Sequence, residues 1–331
     1  MPKSLVTGAA GFIGAHLAQA LLDRGHEVVV LDDLSGGFTD NVDDRAKFFE
    51  GSIVDSTLVN DLFVAERFDY VYHLAAYAAE GLSHFIKRFN YMNNVVGSVN
   101  LINASVNTDV KCFVFTSSIA VYGAGQVPMT EDLRPEPEDS YGIAKFSVER
   151  ELAVTHEMFG LDYVIFRPHN VYGALQNIGD KYRNVIGIFI NQIMQGQPLS
   201  IFGDGEQTRA FSHVDDVVPA IADSPTTPGA LGEVFNVGAD IPYTVNHLAD
   251  VVRRAMGAPD HPIVHHSPRN EVKHAFSDHS KVTRVFGASA QTDLETGIGE
   301  MVKWAKHHGP RKTPKFSNIE ILRNLPPSWL E

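Results

Sequence analysis

Residues 4–14, SLVTGAAGFIG, decide the fold. Ser4–Thr7 predicts a short strand, and Ala15–Arg24 predicts a helix. The glycines between them, Gly8, Gly11 and Gly14, form a tight turn. A strand, a glycine-rich turn and a helix together make a phosphate site, because the backbone approaches closely and the helix N-terminus faces the anion. The spacing is GxxGxxG rather than GxGxxG,. A second strand, Glu27–Leu31, runs into Asp32, 18 residues beyond Gly14. A carboxylate placed there binds both hydroxyls of an adenosine ribose and repels a 2′-phosphate, so the reading is NAD rather than NADP.

The strand–helix rhythm continues outward from this unit. Strands are expected at Lys47–Glu50, Tyr70–Leu74, Cys112–Thr116 and Asp162–Phe166, and helices at Leu58–Glu66, Phe89–Val106 and Tyr141–Phe159. Such alternation specifies an α/β fold, a Rossmann-type doubly wound parallel sheet with ligands at its carboxyl edge. Gly8–Gly14, Asp32, Ala75, Ser118 and Asn170 all fall at that edge. After Tyr172 the rhythm loosens. Asn177–Asn184 and Asp223–Gly229 read as loops, Val185–Gln195, Val245–Met256 and Leu294–His307 as helices, and Leu199–Phe202 as a strand. The division expected is 1–172 for a nucleotide-binding domain, with segments returning at about 203–240, and 173–331 mainly for a smaller substrate domain. The tail Pro310–Glu331 is basic and then apolar, and Pro326-Pro327 blocks a helix,. Packing on its own body and packing on a second subunit are both open.

The chain has 331 residues, 44% of them hydrophobic, which is ample for a large core,. Its net charge is −13 and no basic run stands out, so neither nucleic acid nor an anionic membrane is the expected partner,. Cys112 is the single cysteine, which rules out an intramolecular disulfide and a multi-cysteine zinc site,. Its apolar neighbours suggest a buried strand thiol, and no metal is called for. No apolar run reaches about 18 residues and no leader pattern opens the chain, so a cytoplasmic protein is expected.

Within the helix that begins near Ser140, Tyr141 and Lys145 stand one turn apart on one face,. An ammonium beside a phenol favours the phenolate. Moving a tyrosine from ~10 to ~7 takes about 4 kcal/mol, of which one lysine and a second positive charge could each supply part.

Assembled in order, these segments resemble an extended short-chain dehydrogenase/reductase of the NAD-dependent sugar-nucleotide epimerase/dehydratase family. The resemblance covers about residues 3–307 and rests on GAAGFIG at 8–14, HLAA at 73–76, NNVVG at 93–97, TSSIAVYG at 116–123, YGIAK at 141–145, RPHNVYG at 167–173, FGDGEQTRAF at 202–211 and HVDDV at 213–217. It implies a catalytic triad of Ser118, Tyr141 and Lys145. It implies cofactor contacts from Gly8, Gly11, Phe12, Ile13, Gly14, Asp32, Asp33, Ser52, Ile53, Leu74, Ala75, Ala76, Asn94, Ser117 and Pro168, besides Tyr141 and Lys145. Ser52 departs from the family's usual Asp. Substrate positions carried over are Ser118, Asn170, Asn184, Val185, Phe202, Arg209, Arg269 and Ala275, with the Arg269 region about one residue shorter than the usual pattern.

The same resemblance narrows the reaction. Family 4,6-dehydratases carry Asp-Glu after the triad Ser or Thr, where this chain has Ile119-Ala120. Decarboxylases carry Glu, and GDP-mannose 3,5-epimerases Cys, at the position of Ala120. What remains is oxidation at C4, rotation of the bound ketose and reduction on its other face, which is 4-epimerisation of a UDP-sugar. UDP-glucose and UDP-galactose are the expected pair, with N-acetyl forms admitted by the small Ala275. Lys181 and Arg183 keep UDP-glucuronate open, a GDP-mannose 3,5-epimerase-like enzyme is a further alternative, and the non-enzyme alternative is an NAD-binding regulator. The family also implies a homodimer through helices Phe89–Val106 and Tyr141–Phe159.

Overall fold

Alternate residues of each central strand face two different cores, and this alternation sets the architecture. The computed structural model describes residues 1–268, 272–287, 290–312, 316, 318–326 and 329. The chain opens with β1 (Lys3–Thr7), α1 (Phe12–Asp23), β2 (Glu27–Asp32), β3 (Lys47–Glu50), α2 (Ser56–Glu66) and β4 (Tyr70–His73). There follow α3 (Glu80–Ser83), α4 (Lys87–Tyr91), a π turn (Met92–Val96), α5 (Gly97–Asn107), β5 (Cys112–Thr116), α6 (Ser140–Phe159), β6 (Asp162–Pro168) and β7 (Val171–Tyr172). Then come α7 (Val185–Met194), β8 (Leu199–Phe202), β9 (Thr208–Ala210), β10 (Ser212–His213), α8 (Val214–Asp223), β11 (Glu233–Val237) and β12 (Pro242–Thr244). The last elements are α9 (Val245–Met256), β13 (Ile263–His266), β14 (His274–Ala275), α10 (Ser280–Phe286) and α11 (Leu294–His308).

Seven strands pair in the order β11-β6-β5-β4-β1-β2-β3, each neighbour parallel to the next. Parallel neighbours need crossover connections, which cover both faces of the sheet. Val28 and Val30 of β2 meet Leu17 and Leu21 of α1 and Val217 and Ile221 of α8. Val29 and Leu31 join the opposite core with Phe63 of α2, Leu101 of α5 and Leu152 of α6. Each such side chain contributes about 1.5–3 kcal/mol when fully buried. Cys112 is buried in β5, and burial pushes its thiol up to about 12. A third core joins α7, β8, α9 and α11 through Phe189, Ile201, Leu248 and Ile298. No helix among the described residues is long and apolar enough to cross a membrane.

The structure differs from the sequence reading in several places. Helix α1 begins at Phe12, inside the glycine turn, not at Ala15. The single helix expected over Phe89–Val106 is interrupted by the π turn Met92–Val96. The segment Asp223–Gly229 starts on the last residue of α8 and continues as a 3₁₀ turn, Ser224–Thr226. Helices α3, α8 and α10, the strand β11 and the short strands β7, β9, β10 and β12–β14 were not anticipated. Pro219 inside α8 removes a backbone donor and hides the helical pattern,. The described tail residues pack on this same body: Leu325 and Trp329 are buried against Ala79, Leu82 and Ile86.

Candidate active site

The glycine turn lies at the carboxyl end of β1, where side chains have no room. Gly8 has φ +76°, a left-handed conformation that favours glycine,. A Cβ on Gly8 would stand 2.7 Å from the Ala75 nitrogen, and one on Gly14 would stand 2.3 Å from the Gly8 carbonyl. Gly11 caps α1 without a side-chain hydrogen bond. The first-turn N–H groups of a helix lack partners within it, so an anion is favoured at such an end. Asp32 ends β2, and its carboxylate accepts hydrogen bonds from the amides of Ala10 at 3.0 Å and Leu34 at 2.8 Å. Burial raises its pKa against the lowering effect of those amides. Asp33 is exposed and accepts from the Ser35 amide.

The turn opens into a cleft of roughly 1800 Å³. Gly8, Gly11, Phe12, Ile13, Gly14, Asp32, Asp33, Ile53, Leu74, Ala75, Ala76, Ser117 and Pro168 line it, together with Ser118, Tyr141 and Lys145. Two positions that the family pattern gives to the cofactor lie off the wall. Asn94 is buried, accepting from the Tyr77 amide at 2.9 Å and donating to the Tyr77 carbonyl and to Asn90. It braces the loop after β4 while Asn93 lines the cleft, because the extra residue of the π turn shifts the helical face,. Ser52 accepts from Val54 within its own turn, and its neighbours Gly51 and Ile53 reach the cleft instead.

Ser118 follows β5, and its hydroxyl accepts from the Ala120 amide at 3.1 Å. Helix α6 starts behind Asp139, whose side chain caps it through the Gly142 amide. Gly142 is required here, since a Cβ would stand 2.5 Å from the Ala120 carbonyl. Tyr141 therefore enters the cleft beside Ser118, whose hydroxyl is close enough to favour the phenolate. Lys145 donates to the Thr116 carbonyl at 2.8 Å and lies 4.7 Å above the Phe115 ring and 5.8 Å from the centre of the Tyr141 ring. The expectation of a phenol titrating low is not met by the protein's own groups. Burial pushes Tyr141 above its ordinary value, with the Glu80 charge adding to it and the Ser118 hydroxyl opposing. Burial also pulls Lys145 down to about 7, against the Glu149 carboxylate. Desolvation thus outweighs the pairing that the sequence suggested.

A buried network missed in the sequence stands behind this pair. Glu149, one turn beyond Lys145, accepts from two of the Arg167 guanidinium nitrogens, Nε at 2.9 Å and Nη2 at 2.5 Å, and from the Ser117 hydroxyl at 2.5 Å. Both charged side chains are only 4% exposed. The available signal was an acid four residues after Lys145 on the same helical face.

The other substrate-side positions gather at the far wall. Asn170 has φ +42° and donates to the Ala210 carbonyl at 3.1 Å. Asn184 caps α7, Val185 begins it, and both line the cleft. Phe202 ends β8 with its ring stacked on His266, 5.2 Å between centroids. Arg209 on β9 donates to the carbonyls of Thr208, Lys273 and Val272. Ala275 pairs with Arg209 in the β9–β14 register and is buried in the wall. Arg269 lies outside the described residues. Lys181 and Arg183 both reach the cleft. Arg183 donates to Asp180 at 2.6 Å, lies 5.1 Å from the Tyr77 ring and lowers the pKa of Tyr141 through its charge. Among the described residues, one group, His213, Asp215 and Glu300, has ligand atoms close enough together for a metal ion, and none of the three lines the cleft.

Residues 4–238 match the model of the NAD dependent epimerase/dehydratase family. The chain is 34% identical over 312 residues to a UDP-glucose 4-epimerase of Mycolicibacterium smegmatis, covering 92% of this chain and 99% of that protein. Its structure matches that of the Thermotoga maritima UDP-glucose 4-epimerase with UDP-glucose, at a TM-score of 0.88 and 34% identity over 92% of this chain and 99% of that one. It also matches the Bacillus cereus UDP-glucuronic acid 4-epimerase in complex with UDP-glucuronic acid and NAD, at a TM-score of 0.85 and 30% identity over 92% and 99%.

Proposed function

Because this chain belongs to the NAD-dependent epimerase/dehydratase family, we propose that it inverts C4 of a UDP-sugar, with UDP-glucose and UDP-galactose as the main pair. The observation that carries this reading is the placing of Ser118, Tyr141 and Lys145 in one cleft with the glycine turn and Asp32. The turn and the start of α1, which has no side-chain cap, fit a dinucleotide diphosphate, because a Cβ at Gly8 or Gly14 would strike neighbouring backbone and force the tight turn apart,. The Asp32 carboxylate fits an unphosphorylated adenosine ribose. NAD held there would supply the hydride acceptor and donor for C4.

The residues do the proton work. Tyr141 takes the O4 proton as C4 is oxidised and gives one back on the return. Ser118 holds the reacting oxygen through its hydroxyl beside the phenol. Lys145 is fixed on the Thr116 carbonyl; in its charged form it would favour the phenolate one turn away, and it would hold the nicotinamide ribose. Asn170, Arg209 and Arg269 are the proposed diphosphate partners, and an Arg fork suits phosphate oxygens. Phe202 walls the base. Neither Ile119 nor Ala120 offers an acid or base, which separates this site from family members that eliminate water. The small Ala275 leaves room for an acetamido group, so N-acetyl sugars fit the same reading.

One observation favours a second sugar. Arg183 is close enough to influence the Tyr141 phenol. A guanidinium there suits a C6 carboxylate, which makes UDP-glucuronate the alternative substrate.

In the proposed division, residues 1–172 with about 203–240 hold the cofactor, and the third core in 173–331 holds the sugar nucleotide. The proposed homodimer buries α4, the π turn, α5 and α6, which expose Met92, Val96, Ile143, Val154, Met158 and Phe159. A monomeric mass in light scattering would remove that proposal. The reaction is tested by NMR of the protein with UDP-glucose, UDP-GlcNAc and UDP-glucuronate in separate tubes, with and without NAD⁺. An equilibrium of C4 epimers in one tube names reaction and sugar together, and no change in any tube with cofactor present refutes the proposal.

A further inference from the structure

The tail lies beyond the part of the chain that resembles the family, which ends near residue 307. It is nevertheless built into the cleft. Ile321, Asn324 and Trp329 line the same cavity as Tyr141. We infer that the described tail residues Ile321, Arg323, Asn324, Pro326 and Trp329 form the outer wall around the hexose and decide how well the sugar is retained, with Trp329 as the specificity-determining residue. This inference rests on the proposed reading of the cleft.

Placement at the sugar end follows from what the indole touches. Trp329 meets Phe85 edge-on at 5.8 Å and Tyr182 at 5.4 Å, and its ring lies 3.5 Å from where a Cβ on Gly81 would stand. Gly81 adjoins Glu80 and Tyr182 adjoins Arg183, the two cleft charges outside α6 and its cap that act on the Tyr141 phenol. The wall thus borders the residues that flank the proposed base, and shares its cleft. An indole face and an amide suit the C–H surface and hydroxyls of a hexose.

The tail is tied down at several points. The Arg311 guanidinium stacks 3.8 Å from the Phe38 ring, and the Arg311 carbonyl accepts from Asn191 and Gln195. Phe316 packs on Tyr77 and Phe89 at 5.2 and 5.1 Å. The Glu320 carboxylate accepts from the amides of Arg88 at 2.8 Å and Phe89 at 2.9 Å, at the start of α4. The elements it holds lead to Tyr141 by two routes. Asn90 of α4 donates to the Ser140 carbonyl at 2.8 Å, and Ser83 of α3 accepts from the Tyr141 amide at 3.2 Å. Loosening the wall therefore also loosens the start of α6.

The chemistry gives the wall a purpose. During 4-epimerisation the C4–H and O4–H bonds are broken and a C4 carbonyl forms. The ketose must turn over in the cleft before reduction. If it leaves, UDP-sugar and NAD⁺ have become UDP-4-ketose, NADH and a proton, and the cofactor stays reduced. A closed wall keeps the ketose while it rotates.

The test uses the full chain with its cofactor. The chain has two tryptophans, so Trp304→Phe leaves Trp329 as the only indole. Its emission is expected to change with UDP-glucose and to stay unchanged with UDP alone. Trp329→Ala is expected to raise the sugar KM by about tenfold and to accumulate reduced nicotinamide during turnover, with Trp329→Phe recovering most of the loss. Glu320→Ala should move both readouts the same way, and Glu320→Gln less. Variants that match the epimerising parent in KM and leave no reduced cofactor overturn the inference, as does a Trp329 emission that ignores the sugar. A parent inactive on every UDP-sugar refutes the proposed function instead, and the emission titration still decides whether the wall meets the ligand.

Discussion

Replacing Lys145 by methionine should make the protein more stable at and below neutral pH, and less stable only well into the alkaline range, above about pH 8.5–10. Burial holds the Lys145 pKa at about 7, against an ordinary lysine value of 10.5. That gap, at about 1.4 kcal/mol for each pH unit, comes to about 5 kcal/mol of penalty on the charged form. Below pH 7 the folded and unfolded chains both carry the proton, so the whole penalty acts on folding. Between about 7 and 10.5 the unfolded chain keeps a proton that the folded chain has lost, so wild-type stability rises with pH across that window. Methionine fills a similar volume without charge, but it leaves the Thr116 carbonyl without its 2.8 Å donor, at a cost of about 1–3 kcal/mol,.

Lys145→Met should therefore gain about 2–4 kcal/mol at pH 6, and lose about 1–3 kcal/mol by pH 10.5, relative to wild type. Urea midpoints for both proteins, freed of nucleotide and measured at several pH values, read this directly. A difference that does not change with pH refutes the reasoning. So does a variant less stable than wild type at pH 6, since the buried ammonium would then not be the costly group.

Tyr141→Phe should lower turnover by about a thousandfold while leaving NAD bound, as checked by kinetics and by the nucleotide content of the purified protein. Glu149→Gln should destabilise the fold by about 3–5 kcal/mol in denaturant melts, because the buried Arg167 loses its paired acceptor; replacing both residues with apolar ones of similar volume should cost less,. Gly14→Ala, whose Cβ would stand 2.3 Å from the Gly8 carbonyl, should weaken NAD binding by at least about a hundredfold in calorimetry, since about 3 kcal/mol of strain falls on the cradle,.

What could be read from the sequence was local. The glycine turn was legible because close backbone approach admits no other residue at Gly8 and Gly14. The Tyr141–Lys145 pair was legible because four-residue spacing has one geometric meaning on a helix. Features set by distant contacts were not. Asn94 looked like a cofactor contact until the π turn at Met92–Val96 turned it inward to brace Tyr77. Helix α8 was masked by Pro219, and β11 joins the sheet only as an edge partner of β6. The position of the tail depended on an aromatic cluster assembled from Tyr77, Phe85, Phe89 and Tyr182, residues far from it in sequence.

Helix α6 shows why the electrostatics ran against the local reading. Tyr141, Lys145 and Glu149 stand four residues apart on one buried stripe, at 6%, 3% and 4% exposure. Burial disfavours charge on both the phenol and the amine, so it raises one pKa and lowers the other,. Glu149 is already committed to Arg167 and Ser117, which limits how far it can restore the ammonium. On the proposed reading, such a pair holds its proton until another positive charge comes beside it. Release of the sugar hydroxyl's proton is then tied to an occupied, oxidised cofactor site, and a sugar entering without one meets a neutral phenol that cannot serve as a base.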